Sequence, residues 1–125
     1  AALLTPLKEI INNVKYAEWI NSDKLLYAND FEIWIYNSAN NQKMIITRIS
    51  EEIKNIIWHS SDNYIIYATS KSINAIELDE REKRNSTELV NFEGISFAGI
   101  NEKGDILYFI GRIGGQEGLF KLILQ

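Results

Sequence analysis

The sequence predicts an all-β chain in which one unit of about 40 residues recurs three times. Three observations carry that prediction. β-branched and aromatic residues crowd into runs of five or six, Asn, Asp, Ser or Gly closes nearly every run, and the runs come back at a fixed spacing. Isoleucine, used 21 times in 125 residues, supplies side chains that are stiff at χ1 and favour extended backbone. No window of twelve or more residues keeps a helical stripe. The best candidate, "LDEREKRNSTELV", gathers its charges in one block with balanced signs, Asp79 to Arg84, and reads as a solvated hairpin.

Taken in order, residues 1–9 hold one short apolar strand, "LLTPL". Residues 10–50 hold four: "VKYAEW", "KLLYAND", "FEIWIYN" and "KMIITRI". Residues 51–92 repeat the set as "IKNIIWH", "NYIIYAT", "INAIELD" and "TELVNF". Residues 93–125 give "ISFAGIN", "DILYFIG" and "GLFKLIL", and the fourth member is missing. Tyr27, Tyr67 and Tyr108 stand 40 and 41 residues apart, and the outer strands end at Ile49 and Phe92, 43 apart. The absent outer strand has a counterpart at the front of the chain, where Leu4, Thr5 and Leu7 precede Ile46, Thr47 and Ile49 by 42 residues.

A period near 40 residues with four short antiparallel strands is the unit of a β-propeller blade. The expected fold is therefore all-β: a β-propeller with three four-stranded blades per chain, completing a six-bladed ring as a dimer. Six is the only multiple of three in the usual range of about four to eight blades. The expected assembly is a C2 homodimer in which each chain donates residues 1–9 as an outer strand to the last blade of the other. Its seams would join Leu3, Leu4 and Leu7 to Leu119, Lys121 and Ile123. Pro6 is compatible, because an outermost strand has one unpaired side.

The stretch "WHSSDNYIIYATSKSINAIELD" resembles the Trp-Ser-Pro-Asp-Gly blades of WD-repeat-like propellers, including the Tol-associated periplasmic type and the propeller domains of prolyl peptidases. It is also similar to the propellers that follow PEGA modules in bacterial surface proteins. Trp58, Asp62, Asn63 and Tyr67 fit that pattern, and Trp19, Asp23 and Tyr27 fit with one residue fewer in the turn. The third unit departs, with Gly99 in the Trp register and Gly104 supplying the turn, and the Gly-His and Trp-Asp pairs of true WD repeats are absent. The resemblance implies a blade architecture and no particular partner.

The recurring residues read first as structure. Trp19 and Trp58 are expected to pack between neighbouring blades. Asp23 and Asp62 are expected to fix turns by accepting local amides. Tyr27, Tyr67 and Tyr108 are expected to be half-buried, each hydroxyl meeting a polar partner.

Chemistry is sparse. A net charge of −4 gives no general attraction for nucleic acid or an anionic membrane, and no apolar run approaches the eighteen or so residues that insert into a bilayer. The chain opens on Ala1, which fits a processed chain or a piece of something longer and leaves the compartment open; so does the absence of cysteine. His59 is the single histidine, so neither a His-based metal site nor a triad can be assembled around it easily. "GRIGGQEG" lacks the Lys-Ser/Thr ending of a phosphate loop and reads as a glycine-rich hairpin. "NST" at Asn85 matches a glycosylation acceptor, a triplet common by chance.

No cofactor and no metal are expected. Three readings stand: a non-catalytic binding propeller that presents loops at a channel mouth to a protein or small ligand; a self-assembling fragment without its own activity; and a channel-sited hydrolase. The last is opposed by inner strands in which Glu18 is the one acidic residue, since one carboxylate per chain is too few for paired acid and base work unless two chains bring two together. For the first, the partner-binding candidates are Asn29, Asp30, Lys71, Arg112, Gln116 and Glu117.

Overall fold

The computed structural model describes residues 2–4, 13–59, 64–78 and 86–124, and every regular element among them is a strand. The first sheet is β1 (Tyr16–Trp19), β2 (Lys24–Ala28), β3 (Glu32–Asn37) and β4 (Gln42–Arg48). The second is β5 (Asn55–His59), β6 (Tyr64–Ala68), β7 (Ser72–Glu77) and β8 (Ser86–Asn91). The third has three strands, β9 (Gly94–Ile100), β10 (Ile106–Ile113) and β11 (Gln116–Ile123). Each sheet is an antiparallel meander whose spatial order follows the chain. The first strands form the common centre, with β5 touching both β1 and β9.

Side chains alternate along a strand, and residues paired across strands share a face, so the pairing register assigns each residue to a side. In the second sheet Ile56, Ile65, Tyr67 and Ile76 belong to the core shared with Leu26, Ile33 and Ile35 of the first sheet. Ile57, Ile66, Ala68 and Ile73 point the other way, into the core shared with Ala98, Leu107 and Phe109 of the third. The second sheet is thus covered on both faces. That is why "NYIIYAT" is apolar almost without alternation, a pattern usual for doubly buried strands. Burying side chains such as Ile65, Ile66 and Ile73 from water is worth about 1.5–3 kcal/mol each.

Polar bonds stitch the sheets together at their centre. The Tyr16 hydroxyl donates to the Ile53 carbonyl (3.3 Å), the Trp58 amide donates to the Glu18 carboxylate (3.2 Å), and Asn55 Nδ2 donates to the Ala98 carbonyl. His59, nearly fully buried, stacks on Tyr64 with ring centroids 4.4 Å apart, and its Nε2 lies 2.6 Å from the Gly104 carbonyl. A carbonyl only accepts, so Nε2 carries the proton. Gly104 holds φ +75°, and a Cβ there would sit 3.2 Å from that nitrogen, so glycine suits both the backbone and the contact.

Several sequence expectations need correction. Tyr108 does not occupy the position of Tyr27 and Tyr67. Tyr27 pairs with Ala17 and Tyr67 with Ile56, and the matching pair in the third sheet is Phe109 with Ala98. Tyr108 lies on the opposite face at 38% exposure, because a shift of one residue turns a side chain over. By the same register Ile100, rather than Gly99, stands where Trp19 and Trp58 stand, since Trp19 pairs with Leu25, Trp58 with Ile65 and Ile100 with Leu107. Trp58 is half-buried against the core between the first two sheets, as an inter-sheet residue should be. Trp19 is 56% exposed, because it faces away from the second sheet.

The turn chemistry also differs. Asn21, not Asp23, closes the β1–β2 turn, its Oδ1 accepting the amides of Asp23 (2.9 Å) and Lys24 (3.0 Å). Asn101 does the same for Asp105 and Ile106 in the β9–β10 turn. Asn accepts as Asp does, and its amide also donates: Asn101 Nδ2 reaches the Asp105 carboxylate at 2.7 Å. Asp62, Asn63, the charged block 79–84 and Asn85 lie outside the described residues, as does Leu7.

Tyr27 is buried, but its hydroxyl has no hydrogen-bond partner among the described residues, contrary to the expected polar contact. Burial, with a smaller contribution from Tyr36, pushes its pKa up to about 12. An orphaned hydroxyl costs about 1–3 kcal/mol in desolvation. Tyr27→Phe is therefore expected to melt at or above the parent temperature. It should also lose stability less steeply between about pH 10 and 12, the window in which Tyr27 ionises in the unfolded chain but not in the folded one. A variant at least 1 kcal/mol less stable at pH 7 would show that the hydroxyl is satisfied.

Candidate partner-binding face

Strand direction puts the β2–β3 loop, the β6–β7 loop and the β10–β11 turn at the same end of their sheets, together with the connections that run from one sheet to the next. Asn29, Asp30 and Lys71 lie in the first two of these loops, and Arg112, Gln116 and Glu117 lie on the strands that flank the third. The first two loops are built alike. The amide of Asn29 donates to the Glu32 carbonyl (3.1 Å), and the amide of Thr69 donates to that of Ser72 (2.9 Å). Side chains reinforce both: Asn29 Oδ1 accepts the Phe31 and Glu32 amides, and Thr69 Oγ1 accepts the Lys71 and Ser72 amides. Each loop then offers a carbonyl to the start of the next sheet, from Asp30 to the Ile53 amide just before β5 and from Ser70 to the Ile95 amide in β9, both at 2.6 Å.

The third hairpin is different. It narrows to two residues, Gly114 and Gly115, with φ +59° and +75°, the left-handed pair that a tight antiparallel turn demands and glycine supplies without strain. The Glu93 carboxylate reaches across to accept both of their amides, at 3.1 and 3.3 Å.

Around these loops the charges are mostly paired. Asp30 bonds Lys15 Nζ at 3.1 Å, and that bond, with the carboxylate's charge, holds the Lys15 ammonium above its ordinary pKa. Arg48 donates through Nε (2.9 Å) and Nη2 (2.6 Å) to Glu32, whose pKa falls below the usual carboxylate value chiefly because of that bond. Asn29 is spent on its own loop and on Glu32, so Asn29 and Asp30 form a braced corner.

Lys71 stands apart from that corner. With Asn91, Phe92, Glu93 and Ile113 it lines an open groove of about 430 Å³. Arg112 and Glu117 are paired across the hairpin beside it, Gln116 opposes Ile113, and the Arg112 guanidinium lies against Gly94. Strand alternation thus puts Gln116 on the same face of the hairpin as Ile113 and the Lys71 groove, Arg112 and Glu117 on the opposite face, and Asn29 with Asp30 at the first sheet.

One polar recess escaped the sequence reading. Tyr67, Thr69, Ser72, Asn74, Glu51 and Glu88 line a cavity of about 140 Å³. Inside it the Thr69 and Ser72 hydroxyls lie 2.9 Å apart, and Asn74 Nδ2 donates to Ser72 Oγ at 2.9 Å. Its sequence signal is the "TSKSIN" run, polar residues entering an apolar strand. No group of three or more His, Cys, Asp or Glu that could hold a metal ion occurs among the described residues.

Of the residues expected at the assembly seams, Leu3 and Leu4 are 92% exposed, Leu119 is 72% exposed, and Lys121 and Ile123 are exposed on the same face of β11. Among the described residues no fourth strand covers β11, whereas β4 and β8 cover its counterparts β3 and β7.

No family model matches the chain, and no curated protein does. Among solved structures, a chain from "Crystal Structure of Mitotic Checkpoint Complex" is similar over 88% of this chain, with a TM-score of 0.62 and 13% identity. This chain spans 36% of that one. At such identity the likeness speaks for fold alone, and with the three antiparallel meanders it supports a propeller-like arrangement of the WD-repeat-like kind.

Proposed function

We propose that the chain is a non-catalytic propeller scaffold that binds protein partners through the loops at the shared end of its sheets, with Lys71 and Gln116 on one face of the third hairpin, Arg112 and Glu117 on its other face, and Asn29 with Asp30 at a separate corner. The observation that carries this reading is the bracing of those loops: an Asn or Thr cap, a backbone bond to the next sheet, or the Glu93 clamp holds each one, and none of these braces uses the side chains of Lys71, Arg112, Gln116 or Glu117. Preorganised loops lose little entropy on binding. The similar chain comes from a multi-protein complex, which agrees with a protein partner.

In the same reading each sheet is a blade: residues 10–50, 51–92 and 93–125 form three, and a second copy supplies three more to close a six-bladed C2 ring. Residues 1–9 of each copy, through Leu3, Leu4 and Leu7, cover the free edge of β11 in the other, beside Leu119, Lys121 and Ile123. Such a cover removes the exposed apolar strand edge that otherwise invites uncontrolled pairing.

The protein is expected to hydrolyse none of a panel of chromogenic esters, lactones and glycosides, and to melt at the same temperature with and without EDTA. Turnover that depends on added divalent metal, or a melting temperature lowered by the chelator, would overturn the non-catalytic reading.

A further inference from the structure

The two outer faces of the three-sheet array are unequal to its inner ones, and they match each other. Between the first and second sheets, the β1 residue Tyr16 reaches over to the Ile53 carbonyl. Between the second and third, Asn55 reaches over to Ala98. Pairing puts Tyr16 opposite Ala28, Asn55 opposite Ala68 and Phe97 opposite Ile110, one position before Ala17, Ile56 and Ala98 in each strand. Phe97 is therefore the third member of a series whose first two members bridge to the next sheet, yet it is 55% exposed. Leu119 and Ile123 extend the same face on either side of Lys121, adding exposed apolar side chains to it. At the opposite end of the array Trp19 is exposed, on the side of the first sheet that corresponds to the covered sides of the second and third.

We infer that the exposed face of the third sheet packs on the outer face of the first sheet of a second copy, with Phe97 lying against Ala17 of that copy. This rests on the dimeric reading above and deepens it, because it makes face packing rather than the exchanged strand the main contact. The contact continues the interface the chain already uses twice internally, and a head-to-tail contact of this kind ends without an open face only if the ring closes. Two copies then present two identical seams.

The chain has no cysteine, so single cysteines report cleanly. Ala17→Cys and Phe97→Cys are both at exposed positions and are expected to fold, which their melting curves check. Mixing the two variants with a short bismaleimide should give a covalent pair, while each variant alone should not. Phe97→Asp should weaken self-association more than tenfold by analytical ultracentrifugation. Light scattering on the same samples separates the two readings. A dimer that cross-links only within single-variant samples, or not at all, or that associates unchanged with Phe97→Asp, overturns the face contact and leaves the dimer standing. A monomer overturns both.

Discussion

Phe109→Ala is expected to lower the free energy of unfolding by about 3–5 kcal/mol, the usual loss for truncating a buried aromatic. Phe109 is nearly inaccessible and is held edge-on to Phe92, with ring centroids 5.0 Å apart, and stacked on Phe120 at 5.6 Å. Phe92 and Phe120 complete the triangle at 4.9 Å. Each such pair adds about 0.5–1.5 kcal/mol beyond its area, so the substitution removes two pair contacts along with the buried surface. Against a total stability of about 5–15 kcal/mol for a domain, the variant should be close to unfolding at 37 °C. Urea titration reads the effect as a lower midpoint at unchanged slope. A loss below about 1 kcal/mol would mean that the third sheet does not rest on the second through this cluster.

Gly111→Val is expected to be the second most damaging change, costing about 1–3 kcal/mol by overpacking. The residue is buried beside the irregularity in the β9–β10 pairing, and a Cβ built there falls 2.8 Å from Phe92 Cδ2 and 3.1 Å from Phe109 Cε2. Phe109 cannot retreat into a full core, so the Phe92 ring must move and give up its two edge contacts. Thermal melting checks it. An unchanged midpoint would show Phe92 swinging freely toward the open groove beside Lys71.

The strands were legible because their chemistry is local. "FEIWIY" became β3 and "NYIIYA" became β6, since β-branched and aromatic runs bounded by turn residues need no tertiary information to be read. Register was not local in the same way. In "DILYFIG" both faces are apolar, so alternation does not tell Tyr108 from Phe109, and only the pairing of Ala98 with Phe109 settles which one is buried. Trp19 misled for the opposite reason: its sequence position repeats that of Trp58, but the sheet that would cover it is not among the described residues. The braced loops were legible as loops and not as sites. Nothing in "NDF" shows that Asn29 turns inward to the amides of its own loop, or in "NFEG" that Glu93 clamps a hairpin 21 residues away. Such contacts depend on distances that only the folded meander sets.

The mass of the protein in solution tests the account most directly. Multi-angle light scattering on the full chain is expected to give twice the 14.4 kDa of one copy, and deleting residues 1–7, which removes the exchanged strand and leaves the face contact, should loosen the dimer and lower the melting temperature. A stable full-length monomer at 14.4 kDa, or a shortened chain that dimerises and melts as the parent does, would contradict it.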